Sequence, residues 1–128
     1  MGRSLRPVTE RWGEPSTYVC SELDTEAAAE LVRDVAQALL GEDVSTRVVL
    51  YDDVFVVWIE DGAAFLQAFA AMANRHELFQ EPEFLEKIGW DRMGDEEAYW
   101  LSDVAGTAKR WHSMIDPQDG SLRLYFDC

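Results

Sequence analysis

Two β-prone runs, Val44 to Tyr51 and Val54 to Ile59, stand only two residues apart, and this spacing constrains the fold more than any other feature. Both are rich in β-branched and aromatic side chains, and a two-residue gap leaves room only for a tight reversal, so the sequence predicts an antiparallel hairpin turned at Asp52-Asp53. Asp-Asp is weaker turn chemistry than Asp-Gly, but short polar side chains still suit a turn. The second run, Val54-Phe55-Val56-Val57-Trp58-Ile59, is apolar at both alternations, which predicts a strand with neighbours on both sides at the centre of the fold.

Helical patterns flank this hairpin. From Asp24 or Thr25 to Leu40 the positions Ala27, Ala28, Leu31, Val32, Val35 and Leu39 share one face, Glu26, Glu30, Asp34 and Gln37 the other, and Gly41 supplies a stop. A second helix is predicted from Asp61 or Gly62 to about Asn74, with Phe65, Phe69 and Met72 in a stripe. Pro82 opens a short helix through Ile88 that Gly89 ends. Residues 95 to 115 carry Trp100, Leu101, Val104, Ala108, Trp111 and Ile115 at helical intervals, which favours helix interrupted near Gly106 over a strand across Lys109 to Ile115. Asp116 to Gly120 reads as a turn. Leu122, Leu124 and Phe126 then alternate with Arg123, Tyr125 and Asp127 as a strand with one face buried. With a short β-prone run at residues 17 to 22, the expected fold is α+β: a mainly antiparallel sheet of about four strands packed by two to four helices, in one domain over residues 17–128. Residues 1–16, with Pro7, Gly13 and Pro15, read as an irregular N-terminal arm in which Trp12 docks onto the body.

Charge bears on function. The chain of 128 residues has a net charge of −14, yet 48% of it is hydrophobic, so it can build a core. Residues 12 to 105 hold 21 acidic residues against five basic ones, while the two ends together are slightly basic. Such a field repels nucleic acid and anionic membranes and draws in basic surfaces. The opening residues lack the apolar core of a secretion signal, and Arg6 stands where a myristoylation pattern needs Ser or Thr, so a cytoplasmic protein is expected. Cys20 and Cys128 form no C-x-x-C pair and are expected as reduced thiols.

Motifs for chemistry are missing from the chain. Neither phosphate-binding glycine signature is present, no G-x-S-x-G elbow exists, and His76 and His112 do not form an H-E-x-x-H pair. The loops at Asp91 to Asp95 and Asp116 to Gly120 miss the calcium-loop spacing. No catalytic residue, metal site or cofactor is therefore assigned, and the chain is not expected to be an enzyme.

Two acidic arrays remain. Glu22, Glu26, Glu30 and Asp34 recur every four residues, a spacing at which like charges oppose a helix, with only Arg33 nearby. The second array is Glu77, Glu81, Glu83, Glu86, Asp91, Asp95, Glu96 and Glu97, with Phe84, Trp90, Tyr99 and Trp100 interleaved and only Lys87 and Arg92 opposed. Large rings within a charged rim are the composition of a recognition surface, so these acids with Trp90 and Trp100 are the expected partner-binding region and the first array a secondary acidic face. The expected role is an immunity or inhibitor protein, of bacterial toxin–antitoxin character, that neutralises a basic toxin or effector. Two rival readings are a DNA mimic antagonising a restriction or other defence system, and a small enzyme or ligand-binding domain with an unseen pocket.

Overall fold

A computed structural model describes residues 3–7, 19–21, 24–51 and 54–126. In chain order the elements are β1 (Arg3–Pro7), β2 (Val19–Ser21), α1 (Thr25–Leu40), β3 (Thr46–Tyr51), β4 (Val54–Ile59), α2 (Gly62–Ala70), a 3-10 turn (His76–Gln80), α3 (Pro82–Ile88), α4 (Asp95–Ala108), a second 3-10 turn (Lys109–Met114) and β5 (Leu122–Phe126). The protein is a small α+β domain.

Strands β5, β4 and β3 form an antiparallel sheet, which β1 and β2 extend beyond β5 in the order β2-β1-β5-β4-β3. Tyr51 pairs with Val54, so two residues join β3 to β4 as their spacing predicts; Asp52 and Asp53 lie outside the described residues. The expectation of about four strands missed β1, which falls within the stretch read as an irregular arm. Nothing in the period of Arg3–Pro7 marks a strand; its pairing with β5 on one side and β2 on the other makes it one, and Pro7, which has no N–H to donate, sits at its end. The middle position belongs to β5, not to β4, although β4 does have neighbours on both sides.

One face of the sheet carries the helices. Cross-strand partners share a face, so Val57 with Leu124 and Ile59 with Leu122 lie together, and all four are fully buried in the core beneath α1. On the opposite face Val56 pairs with Tyr125 and Trp58 with Arg123. Tyr125 was expected on an open face, but it and Val56 are both buried, apart from the main core cluster. Beside them the Arg47 guanidinium lies 4.5 Å from the Trp58 ring centre, a cation–π contact between directly opposed residues of β3 and β4.

Helix α1 is set by its caps. The Asp24 carboxylate accepts from the backbone N–H of Glu26 and Ala27, and Gly41 at φ 85° ends the helix, its N–H donating to the Gln37 carbonyl. Its buried face is Ala28, Ala29, Leu31, Val32, Val35 and Ala36. Ala27 is exposed and Leu39 only half-buried, whereas Ala29 and Ala36 are inside, so the contact stripe is rotated from the one expected. Small alanines there let α1 lie close to β4.

Helix α2 starts where expected, capped by Asp61 accepting from Ala64 N–H at 3.0 Å, but ends at Ala70; turns continue to Asn74, whose φ is 60°. Its start is pressed against the turn before β5: Gly62 N–H donates to the Gly120 carbonyl at 2.8 Å, and a Cβ at position 62 would lie 2.9 Å from the Leu122 Cβ. That turn consumes its own acids, with Asp116 accepting from Gln118 N–H at 2.7 Å and Asp119 from Ser121 N–H at 2.8 Å. Ser121, through its side chain first and then its backbone N–H, holds the Asp119 carboxyl below its usual pKa.

The 95–115 stretch is helical from Asp95 to Met114, with Ile115 extended beyond it, and no strand forms across Lys109 to Ile115. Gly106 does not interrupt it; α4 passes through Gly106 and tightens to 3-10 only after Ala108, bringing Trp111 fully into the core. Among the described residues no helix is long and apolar enough to cross a membrane.

Candidate functional site

The acid-rich surface is assembled by an aromatic series beneath it. Phe65 and Phe69 of α2 stack at 5.0 Å between ring centres, Phe69 meets Phe79 of the 3-10 turn edge-on at 6.2 Å, and Phe79 meets Phe84 of α3 at 5.5 Å. These rings dock the turn at His76–Gln80 and the short helix α3, which has too few residues to hold its own shape. Gln80 then ties the turn to α4, donating to the Met93 carbonyl at 3.1 Å and to the Asp95 carboxylate at 2.8 Å. Asn74 N–H donates to the Ser102 carbonyl at 3.3 Å, and the His76 and Tyr99 rings lie 4.1 Å apart between centres.

Three consecutive elements, joined through the 3-10 turn, therefore carry these acids. Glu77, Glu81, Glu83, Glu86, Asp91, Asp95 and Glu96 are exposed and Glu97 is half-buried. Among them stand the cations Arg75, Lys87 and Arg92, of which Arg75 donates to Glu77 at 3.4 Å. Glu77 is held below its ordinary pKa, first by its own backbone N–H and also by Arg75. Part of this acidity has a local structural reason. Asp95, Glu96 and Glu97 occupy the first turn of α4 and Glu83 that of α3, where the helix dipole favours negative charge. Glu86 and Asp91 have no such support, since Glu86 lies past the first turn of α3 and Asp91 between helices.

The aromatic residues divide. Trp100 was expected as a contact residue, but it is only 8% exposed and belongs to the core, its indole N–H buried and without a hydrogen-bond partner among the described residues. Its neighbour Tyr99 is 51% exposed and is the ring that faces solvent, while Trp90 is half-buried against the core. The signal was present in the sequence: Trp100, Leu101, Val104 and Ala108 follow the inner stripe of α4, and Tyr99 falls off it.

The secondary acidic row is weaker than its spacing suggested. Glu22 lies outside the described residues; Glu26 and Glu30 are exposed on α1. Asp34 is partly buried and bound to Arg33 beside it. Burial raises its pKa, against the pull of the Arg33 charge and with a further push from Glu30. A row of four free carboxylates is thus reduced to two in the described residues.

Sequence reasoning found strand β3 but not its exposed position. It is the terminal strand of the sheet, and Val49 and Leu50 are two of the three exposed large hydrophobic residues among those described. His76 Nδ1 lies 3.7 Å from Glu77 at the surface, and His112 is exposed on the second 3-10 turn. Among the described residues no group of three or more His, Cys, Asp or Glu side chains could hold a metal ion. The chain matches no protein-family model, no curated protein and no solved structure.

Proposed function

We propose that this chain is an acidic protein-binding module of the immunity or inhibitor type, which acts in the cytoplasm by covering a basic surface on a toxin or effector. The observation that carries this reading is that the 3-10 turn packs against both α3 and α4, and that along these three elements exposed carboxylates outnumber cations, with Tyr99 exposed and Trp90 half-buried. Carboxylates steer an oppositely charged partner into encounter, and a ring that sheds water on contact supplies the fixed centre. Glu86 and Asp91 lie outside the first turn of any described helix, so the helix dipole does not account for them.

The DNA-mimic reading draws less support. It needs a long row of free acids, and on α1 Asp34 is already bound to Arg33. The enzyme reading gains little from His76, whose carboxylate neighbour Glu77 is 55% exposed, so the pair sits at the surface and not in a cleft.

The test is affinity capture from host extract with three baits: the wild type, the variant Glu83→Lys/Glu86→Lys/Asp95→Lys/Glu96→Lys, and Glu26→Lys/Glu30→Lys. A basic protein retained by the wild type and the α1 variant but lost from the quadruple variant is the expected result. Equal recovery on all three baits removes the surface from the proposal.

A further inference from the structure

The two edges of the sheet are finished differently. Strand β2 is only three residues long and α4 packs against it, so that edge offers little backbone for pairing. Strand β3 runs six residues, from Thr46 to Tyr51, and no described strand pairs with its far side. Its register with β4 continues without a bulge from Thr46 opposite Ile59 to Tyr51 opposite Val54. No proline or lysine interrupts it, Arg47 is its only charged residue, and the Arg47 guanidinium is folded back over Trp58. Val49 is 41% exposed and Leu50 60% exposed on opposite faces of this strand. A regular, apolar edge that no described strand covers is a template for a further strand.

Charge at the strand ends selects the occupant. Before β3 come the exposed Glu42 and Asp43, and exposed Glu60 closes the same end through Ser45, whose N–H donates to its carboxylate at 3.0 Å. In the sequence the two residues after Tyr51 are Asp52 and Asp53. In the sequence, acids therefore flank this apolar strand on both sides. A second copy of this chain laid on the edge, in either direction, would bring acid against acid, whereas a strand with basic ends meets opposite charge at both.

We propose that the β3 edge is a docking site for an extended, alternating apolar segment of a partner protein that carries Lys or Arg at both ends. The segment adds to the sheet as a sixth strand through the free backbone groups of β3. Its side chains meet Val49 on one face and Leu50 on the other. This surface is separate from the helical one around Tyr99, and each stands or falls alone.

The probe is a labelled peptide, Lys-Lys-Thr-Val-Tyr-Val-Thr-Val-Lys-Lys, compared with the same core flanked by Glu-Glu. Fluorescence anisotropy reads affinity, and amide hydrogen exchange followed residue by residue reads location. The expected result is that the lysine-flanked peptide binds at least about tenfold more tightly than the glutamate-flanked one, and slows exchange of alternate β3 amides. The same protection persists in the quadruple variant of α3 and α4, which separates this site from the helical surface. Leu50→Lys, exposed enough to leave the fold intact, weakens binding about tenfold; Val49→Lys does the same from the other face. The proposal is overturned by no binding, by equal affinity for the two peptides, by binding without β3 protection, or by full affinity in both lysine variants. Protection of β3 that rises with protein concentration and no peptide also overturns it, because a second copy then occupies the edge.

Discussion

The row of acids on α1 and the acid-rich surface from Glu77 to Glu97 have similar residue types but different surroundings. On α1 a single helix spaces its carboxylates one turn apart, and Asp34, partly buried, is bound by Arg33. Between Glu77 and Glu97 the 3-10 turn packs against both α3 and the longer α4, most acids are exposed, and Tyr99 of α4 is exposed as well. Spacing along one helix mostly generates repulsion for the helix to withstand. Convergence of separate elements puts the repulsion between parts that the core already holds in place, and leaves the charge free for another molecule.

The sharpest way to break this comparison is through α4. Trp100→Ala is expected to lower stability by about 3–5 kcal/mol, the range for emptying a large buried aromatic site, whereas Tyr99→Ala is expected to change it by less than about 0.5 kcal/mol. Urea unfolding of both variants reads the difference, and a mild effect at Trp100 would return that ring to the surface. Next in size is partner affinity: the quadruple reversal on α3 and α4 should weaken capture by about a hundredfold or more, since close interfacial charge pairs couple by about 1.5 kcal/mol or above. Glu26→Lys/Glu30→Lys should change it by no more than a few fold, and equal losses would erase the distinction between the two surfaces. Raising ionic strength from about 0.01 to 0.15 M, which shortens the screening length from about 30 to 8 Å, should slow association with the partner and leave dissociation nearly constant in stopped-flow traces.

The smallest expected effect concerns Asp34. Burial raises its pKa in the folded chain, so the folded state holds this proton more firmly than the unfolded state. Stability then falls as pH rises from the ordinary carboxylate value through the raised one, and stays reduced above it. Asp34→Asn keeps the side chain uncharged, so its melting temperature should exceed that of the wild type at neutral pH by a small margin. The margin should close in acid, below the carboxylate range. Thermal melts at both pH values decide the sign, and a lower melting temperature at neutral pH would show the Arg33 pairing to outweigh burial.

What the sequence disclosed follows from how local each determinant is. The caps Asp24 and Gly41, the opening Pro82 and the stop at Gly89 act on the residues beside them, and all four mark helix ends in the structure. The rotation of the α1 stripe was hidden because an alanine fits either side of a helix, and only the elements packed around α1 decide that Ala29 goes in and Ala27 out. Strand β1 was hidden because one of the two ladders that define it is made with β5, more than a hundred residues along the chain. At the acidic surface the residues were legible from composition, but their adjacency was not, since it depends on Phe79 and Gln80 joining segments that are separate in sequence. Trp100 and Tyr99 could have been told apart from the period of α4 alone.

The position of β5 has a consequence for how the chain reaches this state during synthesis. The strand between β1 and β4 is the last of the elements to leave the ribosome, so the earliest strand to emerge has no partner on that side until the latest arrives. The β3–β4 hairpin and α1 can associate early, but the sheet stays split until Leu122–Phe126 slots into the gap. A nascent form waiting in that condition would show open strand edges to its surroundings, and a chaperone or an early-bound partner could shield them.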